Sequence, residues 1–338
     1  MTTKTNQKTE AATNASYAEQ VYCAACCAYG IGTPSGIAGV TPFYNGVNFT
    51  GTPAAFQGLI LPETSSCLVG QAVIDDKPSI VIAFAGTIPG YLSDWASDML
   101  VETIAPSIFE SNGVQANIHS GFYFSLLQLS TQIKLVLNNI YTPGTPVYIT
   151  GHSKGGGVAQ LAAWYFTNGE NNILQQSDVT VMTFAAPNPG DTNFSNMFQA
   201  AFPNSINYIS YLDIVPFLAP DNSFCQQLIS IINSEISSST SSGTTQILNI
   251  LSAIVSNIAT FNYYPATSNI MFLEPENGNI DLYQYTLNDW MNFDYLTTLP
   301  AIGDDIKNGN YGPIMDAHTY VCGGNYATAL CPGLCTPA

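Results

Sequence analysis

Short β-rich runs of apolar residues alternate with longer stretches of helical periodicity through the middle of the chain. The β-rich runs predict strands at residues 69–75, 79–85, 147–150, 180–185 and 206–211. Apolar spacing along one helical face predicts helices at residues 17–28, 122–140 and 154–166. Strands that alternate with helices form a mostly parallel sheet covered by helices on both faces. The pattern therefore predicts an α/β fold, with its chemistry at the carboxyl ends of the strands.

The flanking regions differ from this middle part. Residues 1–16 are polar and predict a disordered tail, whereas residues 17–338 are interpreted as a single domain. A Gly- and Pro-rich stretch runs to about Pro53, and the pattern of core strands begins after it. Two amphipathic segments flank a Ser/Thr-rich linker, so residues from about 222 to 265 are predicted to be a helical insertion. The pattern leaves open whether this insertion is a mobile lid or a fixed cap.

Charged residues are few and strongly biased in sign. The chain has 23 acidic and six basic residues, for a formal net charge of −17, and charged residues make up 9% of it. Nucleic-acid binding needs basic side chains that neutralise phosphates, so this class of partner is excluded. The same charge disfavours docking on strongly anionic membranes.

The eight cysteines are interpreted as disulfide-forming, because an even number in a chain with few charges is typical of secreted proteins. The polar residues 1–16 lack the apolar core of a signal peptide, and no apolar run approaches the roughly 18 residues of a membrane span. We therefore expect a secreted protein without a visible signal peptide or a transmembrane segment, with a cytoplasmic one as the alternative. Cys23 and Cys26 form a C-x-x-C pair, but no second pair supports a metal site there.

The pentapeptide Gly-His-Ser-Lys-Gly at residues 151–155 matches the pattern G-x-S-x-G. It lies between a predicted strand and a predicted helix, which is the context of a nucleophile elbow. The alternative is a Gly-rich turn that merely joins the two elements. We interpret Ser153 as the nucleophile of an acyl-transfer site and the adjacent His152 as structural.

A serine nucleophile needs a general base, which is usually a histidine oriented by a carboxylate. The chain has three histidines, His119, His152 and His318. In the α/β-hydrolase order the serine comes first, the acid second and the histidine last, and only His318 follows the elbow. His318 is therefore the candidate base.

The acid of such a site follows a strand and lies between the serine and the histidine in the chain. Asp213 comes directly after the predicted strand at 206–211, although a turn aspartate at a strand end is also common. Four other aspartates in the interval remain alternatives, namely Asp221, Asp281, Asp289 and Asp294.

Six stretches of the chain resemble, in order, motifs of the class 3, fungal-type lipase family. They are IVIAFAGT at 80–87, LSDWASD at 92–98, IHSGF at 118–122, TFAAPNPGD at 183–191, DIVP at 213–216 and DAHTY at 316–320. Ordered motifs over this length are far more specific than one pentapeptide. The chain departs from the family at Ala85 and Ile214, where the family usually carries Arg and Pro, and neither position performs chemistry.

The resemblance implies an α/β-hydrolase fold and assigns Asp213 and His318 to a triad with the elbow serine. It also implies that Thr87 contributes to the oxyanion hole. Lys154 directly follows the nucleophile on the elbow, so we expect its backbone N–H to be the second donor of that hole.

Two further expectations come from the resemblance. Residues 92–98 would begin the lid helix of the family. Family members often tie the amino-terminal helix to the carboxyl terminus by a disulfide. On this basis we predict at least one bridge from the cluster Cys23, Cys26 and Cys27 to one of Cys322, Cys331 and Cys335.

The predicted function is that of a triacylglycerol lipase or carboxylesterase, a serine hydrolase that degrades lipid esters through an acyl-enzyme intermediate. Its expected partner is a lipid or other ester substrate at an oil–water interface, and no metal or organic cofactor is expected. A feruloyl esterase or phospholipase of the same fold is the first alternative, because a triad does not specify its leaving group. A non-catalytic binding protein with a hydrolase fold is the second.

Overall fold

A computed structural model describes most of the chain. The described residues are 17–31, 34–58, 65–87, 103–216, 263–276, 279–293, 297–310 and 312–335, with isolated positions at 229–230, 233–234 and 252. The predicted tail at 1–16, the expected lid segment at 92–98 and almost all of the predicted insertion at 222–265 lie outside them.

The described residues form the following strands and helices. The strands are β1 (Ala54–Gly58), β2 (Ser65–Ile74), β3 (Lys77–Phe84), β4 (Thr103–Ile104), β5 (Glu110–Ser111), β6 (Val114–Gln115), β7 (Ile118–His119), β8 (Val147–His152), β9 (Val179–Phe184), β10 (Ile206–Ser210), β11 (Asn269–Glu276) and β12 (Asn279–Thr286). The α-helices are α1 (Ala18–Cys27), α2 (Pro34–Val47), α3 (Ser120–Ile140), α4 (Lys154–Thr167), α5 (Thr192–Ala201), α6 (Leu287–Phe293), α7 (Leu299–Lys307), α8 (Gly312–His318) and α9 (Asn325–Leu330). Short 3₁₀ turns lie at Ala28–Gly30, Gly169–Asn171 and Gln176–Asp178.

Among these strands, eight form one central sheet in the order β1-β2-β3-β8-β9-β10-β11-β12. The pairs from β3 through β8, β9 and β10 to β11 are all parallel. At one edge β1 and β2 are added in antiparallel fashion, and at the other edge β12 is antiparallel to β11. The predicted α/β fold with a mostly parallel sheet is therefore confirmed.

Successive side chains of a strand point to opposite faces of the sheet, so each central strand contributes to two cores. On one face Ile80, Ile82 and Phe84 of β3 join buried residues of α3, α4 and α5. On the other face Val81 and Ala83 of the same strand join buried residues of α1, α2 and α9. Helices therefore cover both faces of the sheet and leave the carboxyl ends of the parallel strands for the site.

Helix α2 lies within the Gly- and Pro-rich stretch that precedes Pro53. Pro34–Val47 is helical although it has Pro42 inside it. Val40, Phe43 and Val47 are fully buried in the core that α2 shares with α1 and the sheet. Their spacing places them on one helical face, and their burial outweighs the hydrogen bond that a proline removes from a helix.

The cysteines do not form the predicted bridge between α1 and the carboxyl-terminal region. Cys322 is instead bonded to Cys335. The other described cysteines are buried free thiols, at Cys23, Cys26, Cys27, Cys67 and Cys331. The Sγ atoms of Cys23 and Cys331 lie 3.4 Å apart, so the two regions meet at these positions without a covalent bond. The predicted bridge is therefore wrong, because cysteine positions in a sequence do not determine which pairs are bonded.

Within the described ranges, every helix is too short or too polar to cross a membrane.

Candidate active site

The elbow at Ser153 joins β8 to α4 without an intervening loop residue. Ser153 has φ 58° and ψ −134°, a conformation that L-residues rarely adopt and that costs about 1–3 kcal/mol. Its backbone N–H donates to the carbonyl oxygen of Phe184 at 2.9 Å, which ties the turn to the neighbouring strand β9. The turn places Ser153 at the amino terminus of α4, where the helix dipole favours negative charge.

The two glycines of the G-x-S-x-G pattern are required by close backbone approach. A Cβ atom on Gly151 would lie 2.3 Å from the carbonyl carbon and oxygen of Gly155. A Cβ atom on Gly155 would lie 2.2 Å from the carbonyl oxygen of Phe84, at the end of β3. Real Cβ atoms do not approach so closely, so a side chain at either position would push β3, β8 and α4 apart.

Three side chains that are far apart in the sequence meet above this elbow. His318, the last residue of α8, has Nε2 at 2.8 Å from Ser153 Oγ. Its Nδ1 lies 2.9 Å from Oδ1 and 3.1 Å from Oδ2 of Asp213, which follows β10. Asp213 is fully buried, whereas the His318 side chain is 18% exposed. The structure thus brings together the three residues that the sequence analysis selected.

Asp213 is held by two more hydrogen bonds. The backbone N–H of Val215 donates to Oδ1 at 3.0 Å, and the hydroxyl of Tyr326 donates to Oδ2 at 2.6 Å. The Tyr326 oxygen also accepts the backbone N–H of Ser210 at 2.9 Å. Burial, followed by the charge of Asp213, raises the pKa of Tyr326 well above its ordinary value, so the phenol keeps the proton that it donates. Tyr326 locks the carboxylate to the end of β10.

Sequence reasoning missed Tyr326. It is the second residue of α9 and follows the histidine motif at 316–320 by a short turn, but a tyrosine at that place carries no recognised pattern. The one available signal is chemical, because a buried carboxylate needs more hydrogen-bond donors than a histidine alone supplies.

The two residues predicted for the oxyanion hole lie on the segments nearest to the nucleophile. Thr87 follows β3 and is partly exposed, and the preceding Gly86 packs against Ser153: a Cβ atom at Gly86 would lie 3.0 Å from Ser153 Cβ. Lys154 is buried and is the first residue of α4.

The other candidate residues lie elsewhere or have other partners. His119 caps α3, since its Nδ1 accepts the backbone N–H of Phe122 at 3.3 Å. Asp281 lies on the edge strand β12, and Asp289 accepts the Thr286 hydroxyl at 2.7 Å on the surface. Asp221 and Asp294 lie outside the described residues. In the part of the chain that the structure describes, no group of three or more His, Cys, Asp or Glu side chains is arranged to hold a metal ion.

A parallel sheet with a serine elbow after a central strand, followed in the chain by an aspartate and then a histidine, defines an α/β-hydrolase. Residues 81–223 match the family model described as Lipase (class 3). The predicted resemblance to the class 3 lipases of the α/β-hydrolase superfamily is therefore confirmed. The match supports a hydrolase of lipid esters.

The chain is also similar to individual lipases. It is 35% identical to a curated lipase of Caenorhabditis elegans over 72 residues. This match covers 21% of this chain and 20% of the relative, so it spans about a fifth of that protein. Among solved structures, it superimposes on M37 lipase with a TM-score of 0.55 and 18% identity, covering 94% of this chain and 97% of that one. For the triacylglyceride lipase of Rhizomucor miehei the TM-score is 0.56 at 17% identity, covering 84% and 90%. At these identities the structural likeness concerns the fold.

Proposed function

We propose that the protein is a serine carboxylic-ester hydrolase that cleaves lipid esters, with triacylglycerols as substrates, through an acyl-enzyme intermediate. The observation that carries the proposal is the continuous series of contacts from Ser153 Oγ through His318 to the buried Asp213. The family match over residues 81–223 supports lipase or esterase chemistry independently of this geometry.

In the proposed reaction, Asp213 accepts the N–H of His318 Nδ1 and thereby leaves Nε2 free to act as a base. His318 Nε2 takes the proton of the Ser153 hydroxyl while Oγ bonds to the ester carbonyl carbon. The carbonyl π electrons move to the oxygen, which becomes the oxyanion of a tetrahedral intermediate. We assign its stabilisation to the backbone N–H groups of Thr87 and Lys154.

The intermediate collapses when the bond to the leaving alkoxide breaks and His318 Nε2 returns its proton to that oxygen. Water then attacks the acyl-enzyme by the same route, and His318 acts again as base and acid. The products are an alcohol and a carboxylic acid, and the proposed steps require no metal or organic cofactor.

A fluorescent organophosphonate ester tests the catalytic assignment directly, because it bonds only to an activated serine. We expect stoichiometric labelling of the peptide that contains Ser153, and no labelling of Ser153→Ala or His318→Ala. Both variants should lose roughly 10⁶-fold in the rate of ester hydrolysis, since triad members act as a unit. A variant that keeps a tenth of the wild-type rate would show that the mutated residue does not have the proposed role.

The substrate class needs a separate test, because the triad does not specify the leaving group. We expect the highest kcat/KM on an emulsified triacylglycerol within a panel that also contains a phosphatidylcholine, a feruloyl ester and a soluble short-chain ester. A preference for the phospholipid or the feruloyl ester would replace the triacylglycerol assignment. Normal labelling of Ser153 without turnover of any ester would indicate a binding protein.

We also propose that the protein works outside the cytoplasm. The disulfide between Cys322 and Cys335 supports this location, because such bonds persist in oxidising compartments. Mass spectrometry of the protein isolated from its native compartment should find this pair oxidised. Two free thiols in the isolated protein would favour a cytoplasmic location.

A further inference from the structure

The side chain of Tyr29 lies next to the residue that precedes the nucleophile. Tyr29 belongs to the 3₁₀ turn Ala28–Gly30 and is 1% exposed. Its hydroxyl oxygen lies 2.9 Å from Nδ1 and 3.3 Å from the carbonyl oxygen of His152. Its ring stacks on that of Tyr320, with the centroids 3.8 Å apart and the planes 10° from parallel. Because the ring is fixed, the hydroxyl has a defined place.

The same hydroxyl contacts the segment that carries Thr87. A Cβ atom on Gly86 would lie 2.2 Å from the Tyr29 oxygen and 2.7 Å from the carbonyl oxygen of His152. Only a glycine allows such an approach. The segment after β3 and the elbow after β8 therefore meet backbone to backbone, and the Tyr29 hydroxyl contacts both.

The hydroxyl can hydrogen-bond to both segments at once. Burial raises the pKa of the Tyr29 phenol well above its ordinary value, and a hydrogen bond from the Gly86 backbone opposes this only in part. Burial, followed by repulsion from His318, lowers the pKa of His152 well below its ordinary value. The phenol and the imidazole are therefore both neutral. The Tyr29 oxygen can accept a hydrogen bond from the Gly86 N–H, and the hydroxyl can form a second hydrogen bond with His152. Neither bond adds a charge beside Ser153.

We propose that Tyr29 is a positioning residue, whose hydroxyl holds the two backbone segments of the oxyanion hole at their working distance. Thr87 directly follows Gly86, and only Ser153 separates Lys154 from His152. A hydroxyl that binds Gly86 and His152 thus fixes the spacing of the Thr87 and Lys154 N–H groups. This inference rests on the proposed acyl-transfer function.

The substitution Tyr29→Phe removes the hydroxyl and keeps the ring that stacks on Tyr320. A misplacement of about 1 Å in an active site can cost about 10²-fold in rate. We therefore expect kcat for a soluble short-chain ester to fall by roughly 10- to 100-fold, with KM changed less than about threefold. The affinity for a reversible alkylboronic acid should fall by the same factor as kcat/KM, because its tetrahedral adduct with Ser153 occupies the same hole.

Tyr208→Phe is the matched control. Tyr208 is fully buried in the same core as Tyr29, and its hydroxyl has no hydrogen-bond partner among the described residues. We expect this variant to keep the wild-type kcat and boronate affinity. If Tyr29→Phe lowers Tm but the folded protein keeps both quantities, Tyr29 is merely structural and the proposal is overturned.

Gly86→Ala changes the other residue of the same contact, and it replaces Tyr29→Phe as the test variant if Tyr29→Phe does not fold. Its methyl group would meet both the Tyr29 oxygen, at 2.2 Å, and the carbonyl oxygen of His152, at 2.7 Å. It would therefore force the two backbone segments apart, and we expect the same joint loss of kcat and boronate affinity. A folded Gly86→Ala protein with wild-type kcat would also overturn the proposal. Failure of the phosphonate to label the wild-type protein would contradict the proposed function instead.

Discussion

The backbone of Ser153 is strained at the residue that the proposed chemistry uses. Its φ of 58° is unfavourable for any residue with a Cβ atom, and glycine adopts such a φ readily. We expect the free energy of unfolding of Ser153→Gly to be about 1 kcal/mol higher than that of Ser153→Ala. The glycine relieves about 1–3 kcal/mol of backbone strain, which exceeds the cost of the greater conformational entropy of glycine in the unfolded chain. Urea denaturation of the two inactive variants measures the difference. Equal stabilities would mean that the turn holds no strain.

Tyr326 offers a second prediction at the scale of one residue. Tyr326→Phe leaves Asp213 with one hydrogen bond fewer and leaves the buried N–H of Ser210 without its acceptor. We expect the free energy of unfolding to fall by about 1–3 kcal/mol, the cost of an unsatisfied buried polar group. We also expect kcat to fall about tenfold, since the carboxylate that orients His318 is less firmly held.

Urea denaturation and steady-state kinetics on a soluble ester separate these two effects. The control is again Tyr208→Phe, whose hydroxyl lacks a partner among the described residues. Stability and kcat that both match the control would show that the Tyr326 hydroxyl has no role in holding Asp213.

At the scale of elements, the contact between α4 and β3 depends on Gly155. A methyl group there would lie 2.2 Å from the carbonyl oxygen of Phe84, which is backbone and cannot rotate away. We expect Gly155→Ala to lower the free energy of unfolding by about 3 kcal/mol, at the upper end of the usual cost of overpacking. Gly51→Ala is the control, because nothing lies within 4 Å of its added Cβ atom. Thermal unfolding of both variants measures the cost, and two equal Tm values would contradict the close contact.

The central strands and helices could be predicted from the sequence because each has a clear local period. The predicted helix at 154–166 and strand at 180–185 agree with α4 and β9 to within one residue at each end. Strands β11 and β12 were missed. Their apolar residues follow the predicted insertion closely, and the one sequence signal for a strand pair here is the dipeptide Asn277-Gly278, a composition typical of hairpin turns.

The candidate triad could be found for a different reason. With three histidines in the chain, the order of residues in the α/β-hydrolases left a single base. The acid required the family motif, because Asp213 alone is an ordinary residue at a strand end. Tyr29 and Tyr326 could not be found, since their roles depend on contacts across 123 and 113 residues of sequence.

At the scale of the whole molecule, the disulfide Cys322–Cys335 closes a loop around α9 and therefore around Tyr326. A bridge that closes a loop of this size stabilises by about 3 kcal/mol in the chain-entropy account. We expect Cys322→Ser to lower the free energy of unfolding by about this amount, and a reductant to lower Tm of the wild-type protein but not of the variant. Differential scanning calorimetry with and without reductant measures both effects. An unchanged Tm in the reduced wild-type protein would mean that packing alone holds the loop.

The position of His318 and Tyr326 in the chain has a consequence for biosynthesis. Both residues follow all five parallel strands of the sheet, whereas Ser153 lies on the elbow after the second of them. A ribosome has therefore made Ser153, its elbow and all eight strands of the central sheet before it makes His318, the proposed base. Until residue 318 has left the exit tunnel, the nascent chain lacks the base of the proposed mechanism. Under the proposed mechanism, an unfinished chain would therefore not hydrolyse esters before its synthesis is complete.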